Sequence, residues 1–508
     1  MQTNTNLEPK QKTGGFLGWV ERVGNKIPHP FILFLWLIVI LWIISLICSM
    51  TGVKAINPST GDEVVAKNLL SAEGITFALT NVIKNFTGFA PLGLVLTMAL
   101  GIGLAERIGF MSAFMKKTIL GAPPKIVTFI IAVIGICGNL ASDAAIIIVP
   151  AIAAMIFLSL GRNPLAGIAL GYAATTAGFS ANLLIAGTDG LLAGITNEAS
   201  KIVNGIEIPV TANWYFMASS TIILAIIITW ITEKMIEPRL GKYTGKKQIG
   251  EQQLTPEENK ALKKSGIAVL IYLAILVILA APKNSFLRNP NTGSLISGST
   301  LMSGIIPILL ILFLVAAIPY GKAMGKIKTS GDIPKYMSLA IKDMAPFIVL
   351  AFIIGQFISY FNWSNLGLIL AVKGADTLKA AGFTGIPLFV SFIIFTTFIN
   401  LFIGSGSAKW ALLAPIFVPM FYLLGYHPAL TQMLYRIGDS ATNIISPLFP
   451  YFPIILGFLN DYDEKAGVGT LLSLMIPYSM IMLIAWIVYG VIWYIAGLPL
   501  GPGGGLLL

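Results

Sequence analysis

Five charged residues stand in or beside long apolar runs: Asp143, Asp189, Lys409, Arg436 and Asp439. An ionisable side chain at membrane depth is costly and by default marks an ion or substrate pathway. Arg436 and Asp439 are three apart, on one face of a helix. Two chemistries fit them. They neutralise each other as a structural ion pair, or Asp439 takes and releases a proton while Arg436 tunes it or holds an anionic substrate. Asp189, just after Ala181-Asn182 and near an outer helix end, is either a pathway residue or a helix-end residue in water. Small polar residues gather nearby: Asn139, Ser142, Ser180, Asn182, Asn400, Ser405, Ser407, Ser440, Thr442 and Asn443. Free N–H groups at helix starts bind anions, and Asn, Ser and freed carbonyl oxygens ligate cations. The same small residues also let membrane helices pack closely. Trp410, beside Lys409, either stacks on an aromatic ligand or packs.

The elements that carry these residues follow from composition. The chain has 508 residues, 56% of them apolar and 11% charged. A soluble domain carries about 25% charged residues, so a water-soluble enzyme or a disordered chain is excluded. Apolar stretches long enough to span a bilayer fall at 31–51, 88–107, 165–187, 215–232, 266–281, 302–320, 346–361, 429–457 and 471–496. Two more, 126–160 and 386–425, are too long for one span and are interrupted by GNLASDAA at 138–145 and GSGSAKW at 404–410. Backbone that leaves the helix at membrane depth must be buried in protein or face water, which predicts two re-entrant hairpins. The expected fold is an all-α polytopic membrane protein of nine spans and two hairpins. Cys48 and Cys137 with His29 and His427 offer neither a disulfide framework nor a metal centre. The first residues lack the pattern of a secretory signal, so an uncleaved cytoplasmic N-terminus is expected.

Charge sets the orientation. With the N-terminus inside, 23 of the 33 Lys and Arg residues fall in inside segments and 8 outside, with Lys409 and Arg436 in the membrane. This positive-inside bias accounts for the net charge of +11 without nucleic acid. An internal repeat also emerges. Ser142, Pro150, GRNP at 161–164 and Ser180-Ala181-Asn182 are matched in order by Ser407, Pro415, GYHP at 425–428 and Ser440-Ala441-Thr442-Asn443. One hairpin enters from each face, which makes these inverted-topology repeats, the architecture of secondary transporters with a midplane substrate site. The expected organisation is a cytoplasmic segment 1–30, a first repeat 31–232 with hairpin 126–160, a cytoplasmic connector 233–265 with a short amphipathic helix, a second repeat 266–497 with hairpin 386–425, and a tail 498–508.

Several strings resemble one family over almost the whole chain: WVERVGNKIPHP at 19–30, NVIKNFTGFAPLG at 81–93, NWYFMASS at 213–220, IEPRLG at 236–241, GSGSAKWALLAPIFVPMF at 404–421 and GLPLGPG at 497–503. They look like the AbgT family of p-aminobenzoyl-glutamate transporters. The resemblance implies an inner-membrane homodimer with nine transmembrane helices and two hairpins per subunit. It implies uptake of p-aminobenzoyl-glutamate and related aromatic carboxylates across the cytoplasmic membrane by an ion gradient. Some members instead look like proton-driven exporters of sulfonamide antimetabolites. Family functional positions match at Asp189, Trp410, Pro428, Arg436, Asp439 and Pro447; Asn182, Ser405 and Ser407 complete the expected pathway. Asn400 resembles a sodium-site residue, and Lys409 is not expected to be essential. The expected coupling ions are the proton and, as a second option, sodium, with no other cofactor. An intramembrane aspartyl protease is a remote alternative, since 436–439 read Arg-Ile-Gly-Asp where that chemistry uses Gly-x-Gly-Asp. No GxxxxGK[ST] motif is present for nucleotide-driven pumping.

Overall fold

An apolar run in hydrocarbon can satisfy its backbone only within itself, so it winds into a helix. The structure, a computed structural model, describes residues 28–58, 60–141, 144–245, 254–296, 298–446 and 449–508. Among them, β structure amounts to a small hairpin, Lys54–Ile56 against Glu63–Val65, and two isolated bridges near the C-terminus. Eight helices are long and apolar enough to span: Pro30–Met50, Ala72–Arg107, Trp214–Leu240, Pro256–Ala280, Ile305–Ala323, Ala345–Trp363, Gly406–Leu423 and Val468–Ile495. Seven match expected spans, and Gly406–Leu423 is the second arm of the second hairpin. The chain is a multi-pass helical membrane protein.

The other two expected spans, 165–187 and 429–457, are not continuous helices. The first runs Pro164–Tyr172, loosens into a π-turn at Ala173–Ala177, leaves the helix over 178–186 and resumes at Gly187–Ser200. The second runs Pro428–Ser440, passes through a 3₁₀ turn at Asn443–Ile445 and resumes at Phe452–Asn460. Gly, Ser, Thr and Asn at both breaks compete for backbone hydrogen bonds and weaken the helix. Ala181, Asn182, Ile185 and Ala186 in the first break and residues 441–446 in the second are buried, while Leu183 and Leu184 are exposed apolar side chains.

The hinges into these broken spans are alike. Gly161 (φ 69°) and Gly425 (φ 90°) adopt the left-handed conformation that only glycine takes without strain. Asn163 and His427 then cap the next helix, accepting from the N–H groups of Leu165 and Ala429, and Pro164 and Pro428 occupy its first turn. The hinges are tied to different parts of the chain. Arg162 pairs with Glu237, and Asn163 donates to the carbonyl of Gly241 at 3.1 Å. His427 N–H donates to the carbonyl of Leu506, and Leu508 N–H to that of Gly425. Two like hinges on separate anchors are the local signature of the inverted repeat.

Two local expectations change. The amphipathic helix expected within the connector is the start of Pro256–Ala280, fixed by a capping box between Thr255 and Glu258; residues 246–253 lie outside the described set. The tail 498–508 is built into the fold. Leu500 is fully buried, the Thr211 hydroxyl donates to the carbonyl of Pro502 at 3.0 Å, and a Cβ at Gly504 would sit 1.9 Å from the carbonyl oxygen of Ala212. Only glycine admits that approach.

These anchors predict that residues near Lys242 and near Leu508 face opposite sides of the membrane. Single cysteines at the two positions, with Cys48 and Cys137 replaced by serine, should react with an impermeant thiol reagent from opposite sides in oriented vesicles. Labelling of both from one side contradicts the inverted arrangement.

Candidate functional site

The two broken spans meet at their breaks, and the second hairpin closes on the second of them. Arg436, in Pro428–Ser440, is 1% exposed. Its Nη1 donates to Asp189 Oδ1 at 2.6 Å and its Nη2 to the carbonyl of Ser180 at 2.6 Å. Ser180 lies in the turn just past the first half of the first broken span, and Asp189 in the first turn of the second half. One guanidinium therefore ties the start of the first break to the helix that follows it. Asp189 also accepts from Ala186 N–H at 2.7 Å through Oδ2, so it serves as helix cap and counter-ion together. Ser440, one turn beyond Arg436, accepts at its Oγ from Ser180 N–H at 3.3 Å and donates to the Arg436 carbonyl at 2.9 Å.

Asp439 points the other way. Lys409, on the second arm of the second hairpin, is fully buried and bonds to both Asp439 Oδ1 and Asn400 Oδ1. Arg436 and Asp439 are thus not partners of each other: each has its own counter-charge from a different element. Of the two chemistries open to Arg436 and Asp439, the self-neutralising pair is not formed. The Tyr435 hydroxyl lies 2.5 Å from the Gly406 carbonyl and 3.1 Å from Asp439 Oδ1. A Cβ at Gly406 would fall 2.9 Å from Asp439 Oδ2, so glycine lets the hairpin tip approach the carboxylate. Asn400, ending the first arm, donates to Thr442 Oγ1 at 2.9 Å and Asn443 Oδ1 at 2.8 Å. The first arm of the hairpin therefore holds the second break, and the second arm holds Asp439 just before it.

The remaining expected residues divide. Ser405 caps Gly406–Leu423, and its hydroxyl lies 3.3 Å from that of Ser407, at the tip beside Asp439. Asn182 is buried at the first break; its oxygen accepts from Leu184 N–H, and its Nδ2 has no acceptor among the described residues. Arg436 Nε is likewise unpartnered there. Pro428 shapes the hinge rather than the charged cluster. Asp143, Ser142 and Pro447 lie outside the described residues. Among the described residues, no group of three or more His, Cys, Asp or Glu is placed to hold a metal ion.

A separate apolar cavity of about 620 Å³ lies between Phe110–Leu120, Pro256–Ala280 and Ile305–Ala323. Phe110, Phe114, Leu262 and Phe313 line it, and Lys117 lies at its edge. It reaches Leu140, at the end of the first arm of the first hairpin, and Leu184, in the first break.

The chain matches the model of the family described as "AbgT putative transporter family" over residues 15–507. It is 44% identical to the p-aminobenzoyl-glutamate transport protein of Escherichia coli (strain K12) over 500 residues, 98% of each chain. This chain belongs to the AbgT family. Two solved structures share its fold. The Alcanivorax borkumensis YdaH transporter is 39% identical with a TM-score of 0.90, the match covering 94% of this chain and 100% of that one. Neisseria gonorrhoeae MtrF, described as illuminating a class of antimetabolite efflux pumps, is 41% identical with a TM-score of 0.90, covering 96% of this chain and 100% of that one.

In this AbgT transporter Trp410 is not an open platform. It is fully buried, stacked on Tyr435 with ring centroids 4.4 Å apart, and its Nε1 donates to Thr196 Oγ1 at 3.0 Å. Thr196 Oγ1 lies 2.6 Å from Gln432 Oε1, Gln432 Nε2 donates to Asn213 at 2.9 Å, and Asn213 to the Ala429 carbonyl at 2.9 Å. Sequence reasoning missed this polar chain and the pairing of Lys409 with Asp439. The signal for Gln432 was present: it is an amide four residues before Arg436 in a buried segment.

Trp410→Ala should therefore act as a core truncation, destabilising by about 3–5 kcal/mol. Trp410→Phe keeps a ring against Tyr435 and loses the indole hydrogen bond, a cost of about 1 kcal/mol. Thermal unfolding of the purified proteins in detergent checks both. Wild-type stability in Trp410→Ala would return Trp410 to the role of a free stacking surface.

Proposed function

We propose that this chain is a secondary active transporter of p-aminobenzoyl-glutamate and related aromatic carboxylates across the cytoplasmic membrane, driven by an ion gradient. One observation carries the reading. Two buried donors at the crossing of the broken spans, Arg436 Nε and Asn182 Nδ2, have no acceptor among the described residues. A buried donor left unsatisfied is costly, and a carboxylate supplies the acceptors it lacks. The planar guanidinium suits such a ligand. The apolar cavity that reaches Leu140 and Leu184 has the size and lining of a site for an aromatic ring, and Lys117 beside it favours an anion. The similarity to the Escherichia coli p-aminobenzoyl-glutamate transport protein supports the substrate class.

The similarity to MtrF favours a second reading, proton-driven export of sulfonamide antimetabolites by the same site. A carrier runs down whichever gradient it is coupled to, so the two readings share one architecture. Neither is enzymatic. Asp189 and Asp439 are each paired with their own cation and form no carboxylate dyad of the kind a protease needs. We place the N-terminus in the cytoplasm on the charge distribution. We also assign a homodimer, as the resemblance to the AbgT family implies.

The test is transport by the purified protein in proteoliposomes under imposed proton or sodium gradients. Labelled p-aminobenzoyl-glutamate should accumulate. Arg436→Lys should slow it roughly ten- to a hundredfold, the loss of a charge-assisted hydrogen bond worth about 1.5–3 kcal/mol, and should slow an uncharged sulfonamide much less. Equal losses for both ligands would remove Arg436 from carboxylate recognition. Accumulation of the sulfonamide alone would select the export reading.

A further inference from the structure

We propose that the Lys409 ammonium is a tethered cation standing in a site that would otherwise take a free monovalent cation, so that sodium is not a coupling ion of this chain. The geometry is that of a cation pocket already filled. Oxygens from three elements gather at the ammonium and beside it: Asp439 Oδ1 and Asn400 Oδ1 bond it directly, and the Tyr435 hydroxyl joins Asp439 to the Gly406 carbonyl at the hairpin tip. The two oxygens that bond the ammonium, a carboxylate and an amide, are of the kinds that hard monovalent cations use inside membranes. The resident here is the chain's own fully buried lysine.

Charge and space both argue against a second occupant. One carboxylate faces one ammonium, and a sodium ion added to the pair would put two cations against a single anion in a medium of low dielectric. Asn400, the residue that resembles a sodium ligand, has no free face: its oxygen meets the ammonium and its amide nitrogen bonds Thr442 and Asn443. The stem of Lys409 is anchored one residue from Trp410, whose ring is locked against Tyr435. The ammonium therefore stays at its site without being supplied from solution. Removing it leaves Asp439 and Asn400 around a vacated space of ammonium size, and a free cation then becomes the only counter-charge available.

The test uses the full-length purified protein in detergent without substrate, so its outcome does not depend on which molecule is carried. Thermal unfolding is followed as sodium chloride replaces choline chloride at constant ionic strength. The wild-type midpoint should be the same in both salts. Lys409→Ala should unfold earlier in choline and recover through a saturable upward shift with sodium, because a ligand that binds only the folded state stabilises it. Lys409→Ala/Asp439→Asn should lose that shift. A saturable sodium shift in the wild type that Asp439→Asn abolishes would overturn the proposal, as would a folded Lys409→Ala indifferent to sodium. Should Lys409→Ala fail to fold, equilibrium binding of radioactive sodium to the wild type decides: no displaceable binding supports the proposal, and binding lost in Asp439→Asn overturns it.

Discussion

A buried guanidinium must find a counter-charge and acceptors, and in this chain Arg436 finds both on the two sides of a broken helix. Its bonds to the Ser180 carbonyl and to Asp189 tie the start of the non-helical segment 178–186 to the first turn of the helix that follows it. The break creates the free carbonyl, and the restart of the helix at Gly187 places Asp189 in its first turn, where a carboxylate is favoured. Removing either partner strands a charge, at a cost of about 3–5 kcal/mol. The first repeat thus depends on a residue supplied by the second, and the crossing of the two broken spans is fixed at one point.

The second ion pair gives the crossing its asymmetry. Lys409 and Asn400 bring both arms of the second hairpin to Asp439 and to the second break. Three residues along one helix, from Arg436 to Asp439, therefore join the first broken span to the second hairpin. The tail adds an outer restraint, since Leu506 and Leu508 hold the hinge at Gly425–His427. Any movement of the second hairpin must break or carry the Lys409–Asp439 pair, and any movement of the first broken span must do the same for Arg436–Asp189. Alternating access in such an architecture amounts to moving one repeat past the other around a fixed site; Arg436–Asp189 joins the two repeats, whereas Lys409–Asp439 lies within the second.

Much of this was legible in the sequence, and the limits have physical causes. Apolar length located the spans, because hydrocarbon admits little else. Interruption by small polar residues pointed to both hairpins, and Ser180, Asn182, Ser440, Thr442 and Asn443 stood out as small polar residues, although 165–187 and 429–457 read by length as spans. Partner choice was not legible. Arg436 and Asp439 share a helix face, so local spacing pairs them, whereas Asp189 is 247 residues away in sequence and only the fold brings it within 2.6 Å. Nothing local to Lys409 reports that the hairpin delivers it to Asp439. Trp410 stayed open between ligand stacking and packing because its stacking on Tyr435 belongs to tertiary structure. The glycines of the tail read as simple composition, yet Gly504 is required by its approach to Ala212.

The central claim is the assignment of partners, and double-mutant cycles test it most directly. Arg436→Met with Asp189→Asn, Lys409→Met with Asp439→Asn, and Arg436→Met with Asp439→Asn would each be measured singly and together by unfolding of the purified protein. The first two cycles should show coupling of about 0.5–3 kcal/mol, as expected for residues in contact, and the third close to none. Strong coupling between Arg436 and Asp439 with additivity between Arg436 and Asp189 would contradict the account.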